Sequence, residues 1–135
     1  MLSARTRPIA RDAAYAQFTF GDGIGRYRGA VTAVTDESGQ LRPAHVVAMT
    51  SGYEHYWSER WSSNGVYSLA VVDSAFAPSA SKTRIGFGAL NPLYWILKDR
   101  AWAGVEYLYG RREQQKDLSG TAHRIQFRIR VNLPR

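Results

Sequence analysis

The sequence predicts an all-β chain, an antiparallel up-and-down transmembrane β-barrel segment of about seven strands that leaves its barrel incomplete. Three observations lead there. Side-chain chemistry repeats with a period near two rather than 3.6, as in extended chain whose successive residues face opposite ways. Connections between the alternating runs are short and long in turn, like the tight turns and longer loops at the two rims of an outer-membrane barrel. No window of about 18 consecutive apolar residues offers a transmembrane helix, but barrel strands, being short and only half apolar, do not need one.

Taken in order, residues 1–12 hold three arginines and Pro8 and read as an irregular N-terminal segment, with the strands lying in 13–135. Strands are expected near 13–20, 24–34, 45–58, 61–73, 82–96 and 101–112, and a last one over 122–133. That last run is the clearest. Ile125, Phe127, Ile129, Val131 and Leu133 alternate with Arg124, Gln126, Arg128, Arg130 and Asn132, so a slip of one residue would exchange two opposite chemistries. Gly21-Asp22-Gly23 reads as a tight turn, residues 35–43 as a long loop, and Glu59-Arg60 as tight again. Residues 74–81 are long, 98–100 short and 113–120 long. With the C-terminus on the periplasmic side, the first of seven strands starts on the outer side. Bacterial barrels have an even strand number, so at least one further strand is expected upstream. No apolar stretch follows the basic N-terminus, so an export signal is expected outside this chain as well.

Composition narrows the function. At 135 residues the chain is one domain. Without cysteine it has no disulfide framework and no thiolate metal site. A net charge of +7 invites nucleic acid or anionic lipid as partner, yet the arginines form no basic tail or helix. They alternate with apolar residues and would line one side of a sheet. Eight tyrosines and four tryptophans suit a membrane–water boundary, and equally a partner surface.

Several motifs in order carry a family resemblance. Gly23-Ile-Gly-Arg-Tyr27, Gly52-Tyr-Glu-His-Tyr-Trp-Ser58 and Ser63-Asn-Gly-Val-Tyr-Ser68 resemble landmarks of the dicarboxylate-type (DcaP-like) porin family. Leu90-Asn-Pro-Leu-Tyr94 is similar to that family's penultimate turn region. Gly104-Val-Glu-Tyr-Leu-Tyr-Gly-Arg-Arg-Glu113 with Ala122-His-Arg-Ile-Gln-Phe127 resembles its last hairpin. The resemblance covers roughly residues 17–133, the C-terminal third of such a porin. It implies a passive outer-membrane channel for small anionic organic solutes such as dicarboxylates, homotrimeric when complete, with no cofactor. One departure stands out: such proteins usually finish on an aromatic residue, whereas this chain ends Asn-Leu-Pro-Arg135.

A pore of this kind assigns Arg26, Arg28, Arg111, Arg112, Arg124, Arg128 and Arg130 to a cationic lumen or mouth. Guanidinium stays charged and offers carboxylates a planar fork of donors, and rings of arginine favour anions. Some of these could instead pair with Asp22, Glu106 or Glu113. Trp57, Trp61, Tyr94, Trp95 and Trp102 flank the short turns and are expected to form a periplasmic aromatic girdle. Histidines 45, 55 and 123 have no metal-ligand spacing and read as plain lumen or loop residues; no metal is expected. No nucleophile elbow supports hydrolysis, and Gly21-Asp-Gly-Ile-Gly25 lacks the Lys-Ser/Thr and helix of a phosphate loop, so no enzyme is expected. The competing function is a soluble small β-barrel or sheet that binds a ligand or nucleic acid on a basic aromatic face.

Overall fold

The computed structural model describes residues 1–9, 11–25, 32–73, 82–97, 100–114 and 118–132. It contains β1 (Leu2–Thr6), β2 (Ala13–Asp22), β3 (Ala33–Thr35), β4 (Leu41–Pro43), β5 (His45–Tyr56), β6 (Trp61–Asp73), β7 (Lys82–Leu97), β8 (Ala101–Gln114) and β9 (Leu118–Val131). No helix occurs among the described residues. Seven strands form one sheet in the order β1-β2-β5-β6-β7-β8-β9, each pair antiparallel, while β3 and β4 make a separate small hairpin. The fold is therefore an all-β up-and-down meander, and its sheet is open at β1 and β9.

The expected strands at 13–20, 45–58, 61–73, 82–96 and 101–112 appear as β2, β5, β6, β7 and β8 with small shifts at their ends. Four expectations are corrected. The first twelve residues are not wholly irregular: Leu2–Thr6 pairs with β2, Leu2 opposite Phe18 and Thr6 opposite Ala14. Among the described residues of 24–34 none joins the seven-stranded sheet, in which β2 pairs directly with β5; residues 33 and 34 belong to β3 of the small hairpin. Of that stretch, 26–31 lies outside the described residues. Gly21 and Asp22 extend β2 instead of turning, and the chain departs at Gly23, whose φ of 69° suits glycine. Finally, β8 and β9 run on to Gln114 and from Leu118, which leaves three residues where a long loop is expected.

The excursion between β2 and β5 is held by local polar chemistry. Asp36 accepts at Oδ1 from Ser38 N (2.9 Å), Ser38 Oγ (2.6 Å) and Gln40 N (3.0 Å), and at Oδ2 from Arg42 Nε (2.7 Å). These donors pull its carboxyl down from an ordinary 3.8 to about 2, the Ser38 hydroxyl contributing most. Gly39, with φ of 80°, completes the turn of the β3–β4 hairpin. Gly23 N donates to Ala44 O at 3.0 Å, tying the base of the excursion together.

Register sorts the side chains onto two faces. One carries Ile125, Phe127, Ile129 and Val131 and is here the isoleucine face. Through cross-strand pairs it also carries Val105, Tyr107, Leu90, Tyr94, Trp61, Tyr67, Leu69, Tyr53, Met49, Val47, Phe18 and Phe20. The other carries Arg124, Arg128 and Arg130 and is the arginine face. The buried apolar cluster lies on part of that second face: Val46, Ala48, Ala70 and Val72 pack with Ala44, and Ile24 and Ile85 lie against them. The isoleucine face has no such cover, with Phe127 79%, Ile129 76% and Ile125 66% exposed.

Candidate pore-facing site

Antiparallel pairing assembles the polar chemistry of the arginine face from five strands. Glu54 (β5) stands opposite Asn64 (β6), and Asn64 opposite Asn91 (β7). On the next hairpin Glu106 (β8) stands opposite Gln126 (β9). These pairs form a belt of carboxylates and amides across the sheet. Arg128 bends one step along β9 to meet Glu106, Nη2 to Oε2 at 3.2 Å, and Gln126 Nε2 donates to the same oxygen. Tyr56 Oη donates to Glu54 Oε1 at 2.9 Å. Asn64 Oδ1 and Asn91 Oδ1 are buried and accept no hydrogen bond among the described residues. A cleft of about 200 Å³ opens between Asn91, Leu93, Trp102, Glu106 and Arg128.

Above the belt the same face changes character on β5 and β6. Thr50 and Ser68 share a hydroxyl–hydroxyl bond of 2.9 Å, and beyond them lies the dry cluster around Val46. On β8 and β9, by contrast, Arg112 and Arg124 continue the charge, and Arg130 Nε reaches Asn132 Oδ1 at 3.1 Å.

Arg112, Arg124, Arg128 and Arg130 thus share one face. Arg111 does not. Adjacent strand residues point oppositely, so Arg111 falls on the isoleucine face, where its Nη2 pairs with Glu113 Oε1 at 2.6 Å. Arg26 and Arg28 lie outside the described residues. Three of the five expected girdle residues gather at the short-turn rim of the isoleucine face. Trp61 and Tyr94 lie 4.9 Å apart between ring centroids, and Trp57 packs edge-on to His55 and donates from Nε1 to Ser63 Oγ at 3.0 Å. Trp95 and Trp102 form a cross-strand pair on the arginine face, so the five do not make one belt. His45, His55 and His123 all stand on the isoleucine face, near its polar edges, and not beside Arg124 and Arg128.

One device at the short-turn rim is not visible in the sequence. Asp12, buried in the connection from β1 to β2, accepts at Oδ2 from Tyr53 Oη and from His55 Nδ1, each at 2.6 Å. Its Oδ1 accepts from Tyr56 N at 3.0 Å. The Tyr53 hydroxyl, then His55, hold the Asp12 carboxyl down at about 2. The clamp fastens the first turn to the end of β5 across more than forty residues, a juxtaposition only the fold creates. No cluster of metal-ligating residues occurs among the described residues.

The border of the apolar band on the isoleucine face has a definite slope. On β2 the band spans Phe20 to Ala14, with Asp22 beyond it. Following the register across the sheet, Phe20 stands level with Val47, Val71, Arg84, Glu113 and Ser119. Ala14 stands level with Tyr53, Gly65, Leu90, Tyr107 and Ile125. On β9 the band therefore begins where it ends on β2, and runs from Ile125 to Val131. Both borders are displaced by six residues over five strand steps. With ~3.4 Å per residue and ~4.8 Å between strands, a flat border crosses such strands at a tilt of about 40°. No protein-family model, curated protein or solved structure matches this chain.

Proposed function

We propose that this chain forms part of the wall of an outer-membrane β-barrel channel. Its isoleucine face lies against lipid and its arginine face borders a water-filled passage that favours small anionic organic solutes, dicarboxylates among them. The observation that carries this reading is the slope of the apolar band. Strands of membrane barrels tilt by about 35–45°, so a planar bilayer must cut obliquely across their hydrogen-bonded rows. A soluble sheet has no plane to match, and its apolar residues would collect under a covering layer. Here the band is continuous, sloped and uncovered, and a patch of that size is not left bare in water.

The arginine face supplies the passage. Arg112, Arg124 and Arg130 add positive charge, while Arg128 is largely neutralised by Glu106, so the preference for anions is graded rather than absolute. A nucleic-acid interface fits less well. It needs rings and guanidinium groups interleaved on one surface, but most aromatic residues stand on the isoleucine face and most strand arginines on the other. Trimeric assembly rests on the family resemblance alone.

The test uses the division of faces. Single-tryptophan variants of the chain, refolded into lipid vesicles, retain either Trp61 or Trp102. Brominated lipid should quench Trp61 and aqueous iodide should quench Trp102. Equal access of iodide to both, or a chain that stays in buffer, would sink the proposal.

A further inference from the structure

At the long-loop border of the band, the isoleucine face carries a cluster that the channel reading leaves unused. Arg84 on β7 stands opposite Glu113 on β8, and Gly86 opposite Arg111, so the two arginines sit on a diagonal across the same pair of strands. Arg111 is paired with Glu113 at 2.6 Å, and Arg84 is exposed. Tyr67 and Tyr109 flank the pair, and together these residues line a depression of about 290 Å³. Its floor is open because Gly86 lacks a side chain: a Cβ there would meet nothing closer than Tyr67 Oη at 3.8 Å and Arg111 O at 3.9 Å. The cluster holds two guanidinium groups against one carboxylate. Asp73, on β6, lies one pair further out, opposite Lys82.

We infer that this depression binds the phosphate of an outer-leaflet lipid. The inference rests on the membrane reading above. Two arginines on a lipid-facing surface are costly at mid-bilayer, about 2–4 kcal/mol each, and nearly free at the interface. The cluster lies on the sloping border that marks that interface. A phosphomonoester brings ≈ −1.5 to −2 charge and three acceptor oxygens, enough to compete with the single Glu113 carboxylate for Arg111 while also engaging Arg84. Phenolic hydroxyls of Tyr67 and Tyr109 supply further donors at its edge. Beyond the depression, toward the apolar band, the same face of β7 carries Gly88 and the exposed Leu90, along which acyl chains can lie. A free anion would gain nothing from that apolar continuation, whereas a phospholipid or phosphorylated glycolipid matches both halves.

The test compares partition of the full chain into phosphatidylcholine vesicles with and without phosphatidate. Phosphatidate should tighten wild-type partition by roughly ten- to thirtyfold. Arg84→Gln/Arg111→Gln should lose most of that gain, whereas Arg124→Gln/Arg128→Gln, with the same loss of charge on the other face, should keep it. Glu113→Gln, which removes the competing carboxylate, should raise the preference for phosphatidate. Equal losses in the two double variants, an unchanged Glu113→Gln, or displacement of phosphatidate by millimolar inorganic phosphate would each overturn the site while leaving the channel reading standing. Failure to enter vesicles of any composition would remove both.

Discussion

The arginine face is two surfaces. On the long-loop half of β5 and β6 it is dry: Val46 is 0% and Ala48 2% exposed, and the chain's own excursion lays Ile24 over them. On β8 and β9 the same face is wet and charged, from Arg112 through Glu106 to Arg130. The backbone is the same pleated ladder in both places. What differs is cover. Where the connection after β2 folds back, apolar residues on the arginine face are removed from water and stabilise the excursion. Where no described segment folds back, only polar residues can stand there without cost.

Charge placed in the two zones should separate them most sharply. Val46→Asp buries an unpaired carboxylate and is expected to cost ~3 kcal/mol or more, while Ala122→Asp, exposed beside Arg124 on the wet zone, costs about 1 kcal/mol or less. Denaturant midpoints of the two variants in vesicles check this, and similar losses would mean that the zones do not differ. Next in size is Phe127→Arg on the opposite face, which should cost about 2–4 kcal/mol in a bilayer, read from the same unfolding curves.

Acid should act on the fastenings rather than on the sheet. The Asp12 and Asp36 carboxyls sit near 2 when folded, against an ordinary 3.8. A lowered folded pKa contributes stability that is present above about 4 and lost as pH falls toward about 2. Asp12→Asn should remove the Asp12 share of that window and leave the Asp36 share, so a titration of the unfolding midpoint should flatten without becoming level. The smallest effect belongs to Arg128→Gln. Its pair with Glu106 is more than half exposed on the arginine side, and its loss should cost about 1 kcal/mol or less, in equilibrium unfolding.

Much of this was legible in the sequence where alternation is strong and both faces have a use. The residues of β6 and β9 show this, since Val71, Leu69 and Tyr67, or Ile125, Phe127 and Ile129, recur every second position. The first strand was not legible. Leu2–Thr6 is exposed throughout, and only its pairing with β2 makes it a strand. The run around Ile24 alternates like a strand, yet Ile24 is used to cover Val46, a contact between distant segments that no local pattern records. The placement of Arg111 beside Arg112 could have been settled from period alone, since neighbours in a strand never share a face. The oblique band needed the register of all five strand pairs from β2 to β9 before it could be seen.

The two open edges have one more consequence. Because the sheet has seven strands, β1 and β9 both run from the long-loop rim toward the short-turn rim. Curling this sheet until its own edges meet, or laying the last strand of one copy beside the first of another, would create a parallel seam. A ring in which every neighbour runs antiparallel requires an odd number of additional strands between those edges. Strand parity, rather than side-chain chemistry, therefore dictates which additions could close this sheet into an all-antiparallel ring.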